Sequence, residues 1–182
     1  MSRVTITGAP GAGKTTLLLA LQARGHTIVG DSARTIIQNR RMRGLSPRPQ
    51  ASEFTHETLR MDIENFVQHA ATPGQVFFDR SVLDALCSLD RVAPLNESEL
   101  SMWLATYQYC PKVFVLPPWE AIYVNDDERD HTFEHAEWVD SITQAWYRRC
   151  GYELIEVPKV AVAERCTYVL QALANSATAA GG

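Results

Sequence analysis

The sequence predicts a three-layer α/β/α fold on a mostly parallel five-stranded sheet. Three observations predict it. Short apolar runs alternate with longer stretches whose apolar residues keep helical spacing, so strands and helices take turns along the chain. Alternation of this kind pairs the strands in parallel and covers both faces of the sheet. A Gly-rich turn, Asp31 and Asp79 each come just after a strand, at the edge where open α/β sheets bind ligands.

Residues 3–7 read as the first strand and pass at once into the Gly-rich turn. A helix starts near Lys14 and ends at Gly25, and residues 26–29 form a short second strand. Asp31 opens a helix carrying Arg34, Ile36 and Ile37 that dissolves near Gly44. Ser46-Pro47-Arg48-Pro49 is a loop, because proline breaks helices and strand ladders alike. A long helix from about Ser52 spaces Leu59, Ile63, Phe66, Val67 and Ala70 as an apolar stripe and stops at Thr72-Pro73-Gly74. Residues 75–78 are an apolar strand that ends at Asp79. Helices are expected over 81–89 and 97–109, and a buried strand over 112–116, closed by Pro117-Pro118. Residues 125–130 are a polar turn inside a small helical lid at about 118–135. A helix bearing Phe133, Trp138, Ile142, Ala145 and Trp146 leads to Gly151, and residues 152–157 are the last strand. The final helix buries Val162, Cys166, Val169, Leu170 and Leu173. One domain over 1–175 follows, with a flexible tail over 176–182 that lacks bulky apolar groups.

Bulk composition narrows the function. The chain has 182 residues, 46% of them hydrophobic and 21% charged, enough to fold around a core. Its net charge of −4 argues against a general nucleic-acid coat, which needs a basic surface. Met1 to Thr7 runs straight into a strand and no apolar run can span a bilayer, so a cytoplasmic chain without a membrane or nucleic-acid partner is expected. The four cysteines, Cys87, Cys110, Cys150 and Cys166, lie far apart without a CxxC pair and read as small apolar residues.

Gly8-Ala9-Pro10-Gly11-Ala12-Gly13-Lys14-Thr15 fits GxxxxGK followed by Ser or Thr at every required position, with an apolar strand before it and an apolar helix after it. The glycines let the backbone curl so that its N–H groups face phosphate oxygens, and the helix aims its positive end at the same place. Lys14 is a point charge for the β- and γ-phosphates, Thr15 offers a hydroxyl to Mg²⁺, and Thr16 stands near the α-phosphate. Binding of a nucleoside triphosphate with magnesium is the firm expectation.

Val76-Phe77-Phe78-Asp79 is a strand ending in an acid, the pattern that places a carboxylate near the nucleotide's Mg²⁺. Asp79 also reads as an N-cap for the helix beginning at Ser81. Arg80 offers a fork of donors suited to phosphate or substrate oxygens, or a surface ion pair. Asp84 is compatible with the same cleft and equally with a solvated first turn.

Residues 8–16 together with Phe78-Asp79-Arg80-Ser81 resemble the small phosphate-loop kinases and an AAA_28-like group of expected ATPases related to nicotinamide riboside kinases, within a clan of nucleoside and nucleotide kinases. Asp31-Ser32-Ala33-Arg34 sits where these proteins often carry an acid and an arginine after the second strand. Relatives frequently have glutamate there, and the aspartate is one methylene shorter. The turn around Arg129 resembles their lid, and Gly151 to Pro158 resembles their last strand and the loop beside the adenine. The resemblance implies ATP as co-substrate, Mg²⁺, and transfer of a phosphoryl group to a hydroxyl or phosphate of a small metabolite, nucleoside- or ribosyl-type compounds being favoured.

A kinase needs a carboxylate to take the acceptor's proton. Asp31 is placed for that, and equally for capping the helix it precedes. Arg129 is a lid arginine for the moving phosphoryl group. Arg40, Arg41, Arg43 and Arg48 close over an anionic acceptor or form a solvated loop. His131 and His135 lack the glutamate of HExxH and read as structural or solvated, and Trp119 reads as core packing. The site is therefore expected at Lys14, Asp31, Asp79, Arg80 and Arg129 for catalysis. Gly8 to Thr16 would hold nucleotide, and Thr15 and Asp79 the metal. An ATPase, or a nucleotide-dependent switch or binding module, is the alternative. Against the ATPase, Arg80 follows Asp79 where motor ATPases place a water-activating glutamate, and no NKxD or LSGGQ-like motif is present. Monomer and homodimer are both compatible with the sequence.

Overall fold

The strand runs of the sequence all become strands, joined by helices long enough to cross back over the sheet. A computed structural model describes residues 2–123 and 132–179, the side chains of 176–179 excepted. The strands are β1 (Ser2–Gly8), β2 (Thr27–Val29), β3 (Gln75–Asp79), β4 (Lys112–Leu116) and β5 (Glu153–Glu156). The helices are α1 (Lys14–Ala23), α2 (Ser32–Met42), α3 (Ala51–Gln68), α4 (Val82–Asp90), α5 (Glu97–Thr106), α6 (Phe133–Arg149) and α7 (Val162–Ala179). The order across the sheet is β2-β3-β1-β4-β5, and every described pair is parallel. Expected as mostly parallel, the described sheet is wholly so. No helix among the described residues is long and apolar enough to cross a membrane.

The pleat sorts each strand's side chains between two cores. On one face Val4, Ile6, Phe77, Phe114 and Leu116 pack with Leu17, Leu18 and Leu21 of α1 and Cys166, Val169 and Leu173 of α7. On the other, Val76, Phe78, Val113 and Val115 pack with Leu59 and Phe66 of α3, Val82, Leu83 and Leu86 of α4, and Tyr147 of α6. Thr5 and Thr7, alternating with Val4 and Ile6, are completely buried polar residues.

Several expectations move. The apolar stripe of α3 ends at Phe66, because Val67 is turned outward and 61% exposed, and Ala70 lies beyond the helix. Asp62 takes the inward position between Leu59 and Phe66 instead. Trp138 of α6 is 44% exposed, with the Arg91 guanidinium 4.4 Å from its ring centre. α5 stops at Thr106 rather than near Tyr109, since Tyr109 leaves the helix to meet the rings of Phe66 and Phe78 at 5.1 and 5.5 Å. α7 continues past Asn175 to Ala179, and in it Val162 and Leu170 are half-buried.

The exit of β1 is tightly constrained. Gly8 has φ +123°, and a Cβ there would lie 2.2 Å from the Leu116 carbonyl oxygen of β4. Ala9 N–H donates to that same oxygen at 3.2 Å. The chain can leave the sheet here only with no side chain at position 8. Gly8→Ala should therefore destabilise the fold by roughly 2–5 kcal/mol, from left-handed strain plus overpacking. Urea denaturation measures this, and an unchanged midpoint would refute the close approach.

Candidate active site

The loop between β1 and α1 curls inward. Gly13, with φ +84°, caps α1 without any side-chain hydrogen bond, which leaves the first turn's N–H groups aimed out of the helix. Lys14 is buried, and its Nζ donates to the Gly8 and Ala9 carbonyls at 3.2 and 2.9 Å. Thr15 and Thr16 are exposed on the rim. Behind the loop stands a wall from the other end of the chain. A Cβ at Gly11 would lie 2.7 Å from the Tyr123 ring, and one at Gly13 would lie 2.9 Å from Arg165 Nη1 and 3.2 Å from Ile122. Arg165 is buried, donates to Ala12 O at 3.5 Å, and has its guanidinium 5.5 Å from the Trp119 ring centre. Trp119 is thus half-buried against this wall, outside both hydrophobic cores.

The corner after β3 supplies the charged residues. Arg80 is the one non-glycine residue with positive φ, +71°, among those described. Its N–H donates to Ile6 O at 2.9 Å, and its side chain donates to Asp84 Oδ1 at 3.2 Å and Gly8 O at 3.3 Å. Its Nε lies 3.8 Å from Asp31 Oδ2. Burial alone would lower this guanidinium, but Asp84, Asp31 and Asp79 outweigh it and raise its pKa. Asp31 caps α2, its Oδ1 accepting from Arg34 N–H at 3.1 Å, while Oδ2 faces Arg80. The cap and the cleft position expected for Asp31 thus hold together. Ser81, not Asp79, caps α4, in a capping box completed by Asp84.

Asp84 is not a solvated acid. It is buried and accepts from Thr7 Oγ1 at 2.6 Å, Ser81 N–H at 2.9 Å and Tyr147 O–H at 2.5 Å as well as from Arg80. Burial first, then the charge of Asp84, raise the Tyr147 phenol well above its ordinary pKa. Asp79 is buried, and its Oδ1 has no hydrogen-bond partner among the described residues. Burial pushes its carboxyl up to about 6, while Lys14 opposes that shift.

These groups share one cleft of about 1020 Å³ at the carboxyl ends of β1, β2 and β3. Pro10 to Thr16, Asp31, Asp79 and Arg80 line it, whereas Ala9 is completely buried beneath the loop. Arg129 and His131 lie outside the described residues. His135 lines the cleft, with its ring 5.3 Å from Trp138. The arginine segment divides. Arg40 is tied to Glu57 at 2.9 Å, Glu53 at 3.5 Å and Ser46 O at 2.8 Å, so it braces α2 against α3; Arg41 and Arg43 are exposed, and Arg48 reaches the cleft. All four cysteines are free thiols.

Among the described residues, no three His, Cys, Asp or Glu side chains gather to hold a metal ion alone. Thr15 and the unpartnered Asp79 oxygen supply hard oxygen donors on one cleft, a set that fits Mg²⁺ shared with nucleotide phosphates.

Sequence reasoning missed Asp62. It is 7% exposed, lines the cleft, and accepts from Ser32 Oγ at 2.5 Å. Its signal was legible: an acid at i+3 from Leu59 and i−4 from Phe66 falls on the inward face of α3. Burial raises its carboxyl from the ordinary 3.8 to about 7, with Ser32 opposing and Asp84 and Asp31 adding to the rise. Between those values the folded chain holds a proton that the unfolded chain has released, so stability falls as pH rises from about 4 to 7. Asp62→Asn should remove this loss. The melting-temperature difference, variant minus wild type, should grow from pH 5 to pH 8, and parallel pH profiles would sink the assignment.

The family described as AAA domain (AAA_28) matches residues 3–165. No curated protein matches the sequence. Deoxyadenosine kinase from M. mycoides with bound dATP superposes with a TM-score of 0.65 at 13% identity, covering 95% of this chain and 99% of that one. Thymidylate kinase from Ehrlichia chaffeensis gives 0.59 at 14% identity, covering 94% and 97%. Shikimate kinase from Acinetobacter baumannii in complex with shikimate gives 0.58 at 14% identity, covering 97% and 94%. These likenesses show a shared fold, that of the phosphate-loop kinases, and the family match over most of the sequence places the chain in the AAA domain family.

Proposed function

We propose that the protein is an ATP- and Mg²⁺-dependent kinase that phosphorylates a small metabolite, with nucleoside- or ribosyl-type acceptors favoured. The observation that carries this reading is convergence. A phosphate-binding loop, a buried strand-end acid, an arginine held in a left-handed corner and a cleft-facing aspartate meet in one cleft. That cleft is roomy enough for a nucleotide and an acceptor side by side.

The residues divide the work as follows. The loop from Gly8 to Thr16 and the first turn of α1 hold the nucleotide's phosphates through backbone N–H groups. Lys14 turns from the Gly8 and Ala9 carbonyls to the β- and γ-phosphates. Thr15 and Asp79 hold Mg²⁺, which when bound supplies neutralising charge to the phosphates. Asp31 Oδ2 accepts the proton of the acceptor hydroxyl while Oδ1 stays on the α2 cap, so the base is pinned by its own helix. The acceptor oxygen then bonds to the γ-phosphorus as the bond to the β–γ bridging oxygen breaks, leaving ADP. Arg80, anchored by Asp84, donates to the moving phosphoryl group, with Arg129 as the second cation. ADP release that needs an acceptor separates this reading from an ATPase.

Two substitutions test it. Lys14→Ala should lower turnover by roughly 100-fold or more and weaken nucleotide binding, measured by coupled ADP release and by calorimetry. Intact activity would falsify the reading. Asp31→Asn keeps a good helix cap but removes the base. Acceptor phosphorylation should fall by about 100-fold or more while ATP affinity stays the same. Unchanged turnover would reduce Asp31 to a cap.

A further inference from the structure

The acceptor side of the cleft carries a group that the proposed reaction does not use. Asp62 sits in its wall, more than nine-tenths buried. One carboxyl oxygen takes the Ser32 hydroxyl, and Ser32 Oγ in turn accepts from Asn65 Nδ2 at 3.2 Å. The other oxygen, Oδ2, receives no hydrogen bond among the described residues. With one oxygen held by Ser32 and the other open to the cleft, Asp62 presents a hydrogen-bonding group to whatever the cleft binds.

The cations nearby are already engaged. Arg80 lies between Asp84 and Asp31, and Arg91 lies over Trp138. Arg34 and Arg48 both have partners of their own. Beside these cations, the Asp62 oxygen offers an acceptor on the α3 side of the cleft. Asp31 and Asp84 stand close enough to raise its carboxyl further, so an anion placed among these three acids meets repulsion from all of them. Ile37, Phe54 and Ala85 give the same cleft an apolar surface suited to a flat ring, beside the hydroxyls of Thr55, Thr58 and Ser88.

We propose that Asp62 is the specificity-determining residue of the acceptor site, and that the acceptor is an uncharged ring compound presenting an O–H or N–H donor to it, not an anion. This inference rests on the kinase reading above. Within that reading it excludes nucleoside monophosphates and ring carboxylates as acceptors and keeps neutral nucleosides and similar ribosyl compounds. Ser32 is the positioning residue: its hydroxyl fixes Oδ1 and so aims Oδ2 at the bound donor.

The test uses the full chain with ATP and Mg²⁺ at pH 8, where the Asp62 carboxyl, raised by burial to about 7, has lost its proton. Purine and pyrimidine nucleosides are compared with their 5′-monophosphates and with a ring carboxylate. Wild type should prefer the neutral set by at least about tenfold in kcat/KM, because like charges brought together across a site are strongly disfavoured. Asp62→Asn should lose most of that preference through the acceptor KM, with the KM for ATP unchanged. Ser32→Ala should raise the acceptor KM in the same direction. It guards against an Asp62 variant that folds poorly, and melting curves are recorded for both. A wild type that prefers the anionic set, or an Asp62→Asn enzyme with wild-type preference, overturns the inference and leaves the kinase reading standing. ATP hydrolysis indifferent to every acceptor overturns the kinase reading, and the inference falls with it.

Discussion

The corner after β3 depends on one buried carboxylate. Asp84 takes hydrogen bonds from Thr7 on β1, from Ser81 at the start of α4, from Tyr147 on α6 and from Arg80 in the corner itself. Three stretches of the chain, at residues 7, 80–81 and 147, are tied to one side chain. A buried charge is tolerable only when its lone pairs are filled, and here they are. The same carboxylate explains how Arg80 persists at positive φ, a conformation that costs a non-glycine residue about 1–2 kcal/mol. The backbone bond to Ile6 and the side-chain bonds to Asp84 and Gly8 hold it there. Strain is thereby kept at the point where a guanidinium must face the cleft.

The phosphate loop is constrained from two sides. Its inner face must offer N–H groups to phosphate, which explains the glycines chemically. Its outer face packs against Tyr123, Ile122 and Arg165, so Gly11 is also required sterically, while a Cβ at Gly13 would displace the Arg165 guanidinium. Leu116 of β4 sets the same demand at Gly8. The loop is thus fixed as much by the segment after β4 and by α7 as by its own sequence. Rigidity of this kind suits a site that must present donors in a preset geometry.

Electrostatics divides the cleft into two ends. Near the loop, Lys14 opposes the upward shift that burial imposes on Asp79, beside the place proposed for the metal. Toward α3, burial first, then the charges of Asp84 and Asp31, raise the Asp62 carboxyl to about 7. Arg80 stands between these ends and is drawn to both, by Asp79 on one side and by Asp84 and Asp31 on the other. A donor of phosphate and an acceptor of it would meet across that guanidinium.

Local sequence is enough for the strand and helix order, the parallel pairing and the phosphate-loop motif. Those features rest on local periodicity and on a motif whose spacing is complete within eight residues. It also placed Asp31, Asp79 and Arg80 near one another, because each follows a strand end and strand ends of a parallel sheet meet on one edge. Only the tertiary structure decided the roles of Asp62, Asp84, Tyr147 and Arg165. Asp84 reads from sequence equally as a cleft acid and as a solvated first-turn acid, and its burial comes with contacts to residues 7 and 147. Asp62 was hidden in a helix read for its apolar stripe, and Arg165 lies far down the chain from the loop it covers. Local pattern carries the direction in which a side chain points, whereas the partners that bury or charge it come from elements that only folding brings together.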